Sequence, residues 1–293
     1  MRASISNLNL NYDRVIQIAE GTYWIGFCDI EAGLRCNPYL IIDGKEAVVI
    51  DGGSRPDFPT VMMKILQTGL NPSSIEALIY HHHDPDLCGG LSNFEDIIDR
   101  ENLKIITDKE NSMFIRHYGI SSKLYSLDML THQFTFSSGR QLQFFNTPYA
   151  HSSGSFITLD THTGVLFTSD LFGSYGKEWE LFLEMEAECR DCTDYTQCQY
   201  GENYCPLPGI IKFHRQIMTS KRALRYAMET VAKLDFNLVA PQHGSIIPDL
   251  ETTAIISEKL VALERVGIDR IMGNRSISDL GDITPLMERL KKK

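Results

Sequence analysis

Short apolar runs broken by turn residues open the chain: TYWIGF, PYLIID and EAVVIDGG. Such β-rich runs, only a few residues apart, predict an antiparallel meander. From Phe58 to Thr68 the spacing changes, and Val61, Ile65 and Leu66 fall on one face of a predicted helix. IEALIY then reads as a buried strand running up to His81, and KIITD and KENSMFIRHYG as a strand and a helix. QFTFSSG, RQLQFFNTP, SFITLDTH and GVLFTSD follow as strands, with Ser-Ser-Gly and Thr-His-Thr-Gly supplying turns. Leu224, Met228, Val231 and Leu234 recur at helical steps and predict one long helix from about Arg215 to Lys233. LVAP is a last strand, and a tail over about 251–293 reads as mostly helical. Two sets of strands, each followed by helices, predict an α/β fold, a four-layer αββα sandwich rather than a doubly wound sheet. No internal repeat or low-complexity linker divides the chain, so one domain over residues 1–293 is expected.

Composition narrows the setting. Of 293 residues, 43% are hydrophobic, enough for a packed core. No run approaches the roughly 20 apolar residues of a membrane span, and MRASISNLNLNYDRV has no apolar stretch of secretion-signal type. The expectation is a cytoplasmic protein with no membrane partner. A net charge of −10 repels phosphate backbones, which excludes nucleic acid as a partner.

The candidate chemistry lies at strand ends. LIYHHHDPDLCGG places three consecutive histidines and two acids just past a strand, and one short loop cannot aim all three rings the same way. Which of them binds a metal depends on partners elsewhere. His151 in TPYAHSSGSF, Asp170 at the end of VLFTSD and His243 in LVAPQHGSI are ligand-type residues, each at a strand end. Loops there commonly carry function because the sheet beneath is rigid.

This order of motifs resembles the metallo-β-lactamase fold, and more closely its flavodiiron branch, over roughly residues 15 to 250. The general fold carries His-x-His-x-Asp-His, and the flavodiiron branch has an acid in place of the second histidine. Registering Asp86 on the aspartate of that pattern makes His82 the first ligand and Asp84 the acid. His81 and His83 then point away, into packing or solvent. His83, enclosed between two ligands, is expected to matter more than His81. In the competing register Pro85 would take a ligand position, which it cannot fill. YAHSS, VLFTSDLFGSYG and VAPQHG match the later segments at His151, Asp170 and His243.

The resemblance implies two iron ions: one on His82, Asp84 and His151, the other on Asp86 and His243, with Asp170 bridging. Three imidazoles and three carboxylates suit iron or manganese better than hydrolytic zinc. Two positions depart from the pattern. Asp84 stands where the branch has glutamate, a shorter arm that must come from nearer backbone or shift the metal. Leu87 replaces the adjacent histidine of the fold, which weakens a hydrolase reading and is expected to keep water out. The implied function is O2 or NO binding, as an oxygen sensor, or O2 or NO reduction with an external electron donor, in a homodimer. Too few residues follow the last strand for a flavodoxin domain, so no FMN is expected.

Seven cysteines complete the picture. Cys28, Cys36 and Cys88 stand apart and read as ordinary thiols. Cys189, Cys192, Cys198 and Cys205 cluster in an insert at about 186–208, spaced C-x2-C-x5-C-x6-C. Four thiolates there would hold one zinc or iron. Disulfides or free thiols are the alternative, and the spacing fits no common iron–sulfur pattern.

Overall fold

The computed structural model describes residues 10–27, 33–176, 179–183, 185–193, 205–273, 275, 281–282 and 284–291. Its strands form two sheets. The first joins β1 (Ile16–Ala19), β2 (Thr22–Trp24), β3 (Tyr39–Asp43), β4 (Glu46–Ile50), β5 (Ile75–Ile79), β6 (Lys104–Thr107) and β7 (Lys123–Ser126) in chain order. The predicted meander is there: β1 to β4 pair antiparallel, after which β5, β6 and β7 add in parallel. The second sheet runs β12-β11-β10-β9-β8, from β8 (Gln133–Thr135), β9 (Gln141–Asn146), β10 (Phe156–Asp160), β11 (Val165–Phe167) and β12 (Leu238–Ala240).

Alternation along the strands builds the layers. In β4, Val48 and Ile50 point between the sheets, where they meet Phe144, Phe156 and Phe167 of the second sheet. Ala47 and Val49 point outward onto α1 (Phe58–Gln67), α2 (Pro85–Cys88), α3 (Leu91–Ile98) and α4 (Lys109–Ile115). In β10, Ile157 and Leu159 face the opposite helices, α5 (Leu207–Ile217), α6 (Lys221–Val231) and α7 (Leu250–Val261). Both faces of each sheet are therefore covered, which is why the strands read as nearly continuous apolar runs. The tail continues with α8 (Ile268–Met272) and α9 (Thr284–Lys291). Among the described residues, no helix is long and apolar enough to cross a membrane.

The structure corrects several sequence expectations. The helix predicted over Arg215 to Lys233 is two helices. Met218 turns extended at ψ 141, and Ser220 restarts the chain by accepting a hydrogen bond from the Ala223 amide. That serine is a true N-cap, so Ser220→Ala should cost about 1 kcal/mol, read as a lowered melting temperature. Leu66 is 53% exposed and lies off the buried face of α1. β1, β7 and α3 are absent from the sequence reading, and Asp170 lies in the turn beyond β11 rather than within the strand.

Candidate metal centre

Direction in the sheets brings the ligand-type residues to one edge. β11 and β12 are parallel, and β9 runs the same way because β10 is antiparallel to both β9 and β11. The C-terminal ends of β9, β11 and β12 therefore release His151, Asp170 and His243 on one side of the second sheet. The end of β5 delivers His81 to Asp86 to the same place. Asp84 precedes Pro85, which confines it to extended backbone (φ −69, ψ 150) and starts α2 directly after it.

The six predicted side chains converge in two groups sharing Asp170. On one side, His151 Nε2 lies 3.1 Å from Asp170 Oδ2 and 3.4 Å from Asp84 Oδ2. His82 Nε2 is 3.9 Å from Asp84 and 3.8 Å from Asp170 Oδ1. On the other side, His243 Nε2 is 3.3 Å from Asp86 Oδ2 and 3.5 Å from Asp170 Oδ1. Donors each about 2.1 Å from a common metal are themselves separated by roughly 3 Å at right angles and roughly 3.4 Å at tetrahedral angles, so the closer pairs have coordination spacing. The short arm of Asp84 reaches its neighbours. Asp170 is 2% exposed, and its Oδ1 has no hydrogen-bond partner among the described residues. A buried carboxylate oxygen left without a donor is costly, and a cation between the two groups would remove that cost. The residues fit a metal pair.

Local partners aim the rings. Ser169 Oγ meets His82 Nδ1 at 3.0 Å, and the Arg35 carbonyl accepts a hydrogen bond from His243 Nδ1 at 2.8 Å. Each leaves Nε2 facing the acids, the usual arrangement for a ligating imidazole. Ser169 holds left-handed backbone at φ 54, with its carbonyl accepting from the Gln242 amide at 2.9 Å. That conformation, costing on the order of 1–3 kcal/mol, places the hydroxyl on His82 and turns the next residue, Asp170, inward. His214 supports the same turn, since its Nε2 accepts from the Phe172 amide at 3.0 Å and its Nδ1 donates to the Ile210 carbonyl. Burial lowers His214 to a pKa of about 4, keeping it neutral as that pattern requires.

The ionisable groups are strongly perturbed. Burial, against the pull of His243 and His151, raises Asp170 to about 6. Burial also works to raise Asp84, but the His151 hydrogen bond and the surrounding imidazoles outweigh it and hold the carboxyl at about 2. His151 resists its own burial through Asp84 and Asp170 and rises to about 8. Burial and then the His151 ring push His82 well below the ordinary value. Without a metal, His151 is protonated at neutral pH, and a metal ion must displace that proton to bind.

The three adjacent histidines have different surroundings, with only the His82 ring facing Asp84 and Asp170 together. His81 is fully buried, with Nδ1 2.6 Å from Asp51 Oδ2 and Nε2 2.8 Å from Thr158 Oγ1. His83 stacks on Phe114 at 4.2 Å and meets Ser152 Oγ and Asn111 Oδ1 through Nδ1. Leu87 is wholly buried in the helix-side core beneath the loop. Cys36 is the residue sequence reasoning missed. Its Sγ lies 3.6 Å from Asp86 Oδ2, so it is no ordinary isolated thiol, and only its place in LRCNPYL, between predicted strands, hinted at it. Cys189, Cys192 and Cys205 are partly buried, and Cys28 and Cys198 lie outside the described residues.

An αββα sandwich with its ligand-type residues at one sheet edge defines the metallo-β-lactamase class. Within that class the chain belongs to the ODP family of beta-lactamase-fold proteins, whose pattern matches residues 34–244. It is similar to the apo chemotaxis sensor ODP from T. denticola, at 23% identity and a TM-score of 0.68, covering 88% of this chain and 96% of that one. The peroxy di-iron species of chemotaxis sensor ODP is similar too, at 22% identity and 0.65, over 85% of this chain and 93% of that one. Among curated relatives, a putative diflavin flavoprotein A 2 from Synechocystis is 25% identical over 223 residues, 75% of this chain and 34% of the relative. The type A flavoprotein fprA of Rhodobacter capsulatus is 23% identical over 265 residues, 84% of this chain and 57% of the relative. The chain thus spans about a third to just over half the length of these flavoproteins.

Proposed function

We propose that this chain is a non-haem di-iron protein that captures O2, or NO at the same position, and works as an oxygen-binding sensor. The observation that carries the reading is Asp170, buried between two ligand groups with one oxygen facing His151 and the other facing His243. His82, Asp84 and His151 would hold one iron, and Asp86 and His243 the other. When bound, ferrous ions would supply the reducing chemistry that a diatomic ligand needs. The protein's own part is to orient the imidazoles through Ser169 and Arg35, keep the bridging carboxylate dry, and leave an entry. Asp84, Asp86 and His151 are 36%, 31% and 22% exposed, so the opening lies on their side.

A reductase reading has its own support. A relative 24% identical over 274 residues is the anaerobic nitric oxide reductase flavorubredoxin of Aeromonas salmonicida. In that reading a separate donor protein supplies electrons. Hydrolysis is disfavoured by the carboxylate-rich shell and by Leu87. The reading extends to a homodimer of one-domain, cytoplasmic chains that signals through a partner protein, and to one zinc or iron at Cys189, Cys192, Cys198 and Cys205.

Anaerobically purified protein is expected to carry two irons at the six-residue site. Stoichiometric zinc without iron, after iron-replete growth, would overturn the reading. Mixing the reduced protein with O2 separates sensor from reductase. A visible absorption band that persists supports sensing. Rapid return to the starting spectrum with a donor present, together with O2 consumption, supports reduction.

A further inference from the structure

The two halves of the proposed centre are unequal. One half has His82, Asp84 and His151 of its own, whereas the other has only Asp86 and His243 beyond the shared Asp170. The second half is one donor short, and Cys36 stands beside it. Its Sγ lies 3.6 Å from Asp86 Oδ2 and 3.9 Å from the His243 ring at Nδ1. Cys36, Asp86 and His243 each offer a ligand atom within 4.8 Å of the others.

This placement is built into the fold. Cys36 and His243 pair as an antiparallel β-bridge, so the two backbones run side by side. The next residue bolts them together: the Asn37 amide donates to the Gln242 carbonyl at 2.7 Å, and its Nδ2 donates to the carbonyls of Pro241 and Gly244. Trp24 Nε1 in turn donates to Asn37 Oδ1 at 3.0 Å, and Tyr39 donates to the Pro241 carbonyl. A second observation points to a cation at the same place. Asp170 Oδ1, without a hydrogen-bond partner among the described residues and on a side chain 2% exposed, lies 3.5 Å from the Nε2 of the same His243.

We propose that Cys36 is a thiolate ligand of the second metal, completing a set of Cys36, Asp86, His243 and the shared Asp170. The proposal rests on the di-metal reading and adds a sulfur to it. Binding breaks the Sγ–H bond and forms an Sγ–metal bond, the proton leaves to solvent, and no electrons change hands. One half of the centre then carries only nitrogen and oxygen donors and the other a soft anionic sulfur, which makes the two irons chemically distinct.

The test compares the iron-loaded full chain with its Cys36→Ser variant. The oxidised wild type should show a visible sulfur-to-iron charge-transfer band and an iron–sulfur distance of about 2.3 Å by X-ray absorption. Both should be missing from the variant. Taking the difference between the two proteins removes any contribution from the 186–208 insert. The second iron should bind more weakly in the variant, by at least the about 10- to 100-fold that losing an outer partner costs. A second measurement needs no variant. Alkylation of Cys36, followed by peptide mass mapping, should be at least about 10-fold slower in iron-loaded than in metal-free wild type. Two bound irons with matching spectra in both proteins, or alkylation indifferent to metal, overturn the thiolate and leave the di-iron reading standing. Failure to bind iron at all overturns both.

Discussion

Replacing Asp170 with asparagine should empty both metal positions at once, whereas His82→Ala should release only the metal on its own side. Asp170 faces both groups, with Oδ2 3.1 Å from His151 Nε2 and Oδ1 3.5 Å from His243 Nε2. An amide keeps the shape and loses the anionic bridge. Iron per chain should fall to near zero in Asp170→Asn and to about half in His82→Ala, measured by elemental analysis after dialysis. The same variant should stabilise the metal-free chain. Burial raises Asp170 from its ordinary 3.8 to about 6. A carboxyl raised on folding costs nothing below its unfolded value, costs more as pH climbs through the interval, and costs its full amount above about 6. At pH 7 that cost is about 3 kcal/mol, and the neutral amide removes it. Metal-free Asp170→Asn should therefore melt above metal-free wild type at pH 7, with the gap closing toward pH 4. A variant that keeps both irons would show that the carboxylate is not the bridge.

What was legible in the sequence follows from range. β3, β4, α1 and β10 announce themselves because each buries a face set by local periodicity. The candidate ligand positions are legible because His82, Asp84, Asp86, His151, Asp170 and His243 are ligand-type residues placed just after apolar runs. Cys36 is not, because its role depends on a β-bridge to His243, more than two hundred residues away. Pairing across strands hides two shorter-range partnerships as well: Asp51 with His81, and Arg140 with the buried Asp160. β1 and β7 are edge strands with few buried residues, so their apolar signal is weak. The break between α5 and α6 is signed by Ser220, but the apolar steps on either side of it nearly continue in phase, and periodicity alone joins the two helices.

The sequence ranks His83 above His81 for metal binding because His83 sits between two candidate ligands; for stability the packing ranks them the other way. His81→Ala should be the most destabilising of the three histidine replacements, while leaving the ligand set intact. Asp51 is 2% exposed, and His81 gives its carboxylate both a ring contact at 2.6 Å and a backbone amide at 3.0 Å. Thr158 on β10 holds the other ring nitrogen, so the imidazole ties the first sheet to the second directly beneath the metal loop. Alanine keeps the amide but strands the carboxylate and opens a void in the dry layer between the sheets. Breaking a buried pair by removing one partner costs about 3–5 kcal/mol, a fall in melting temperature on the order of 10 °C for a chain of this size. His83, partly exposed and stacked on Phe114, should cost about 1 kcal/mol or less. Because Asp51 is the group left stranded, adding Asp51→Asn to His81→Ala should recover part of the loss. Melting curves of the single and double variants, with iron measured on the folded fraction, test this directly. A His81→Ala protein that melts like wild type yet loses iron would make His81 the ligand and move the register by one residue.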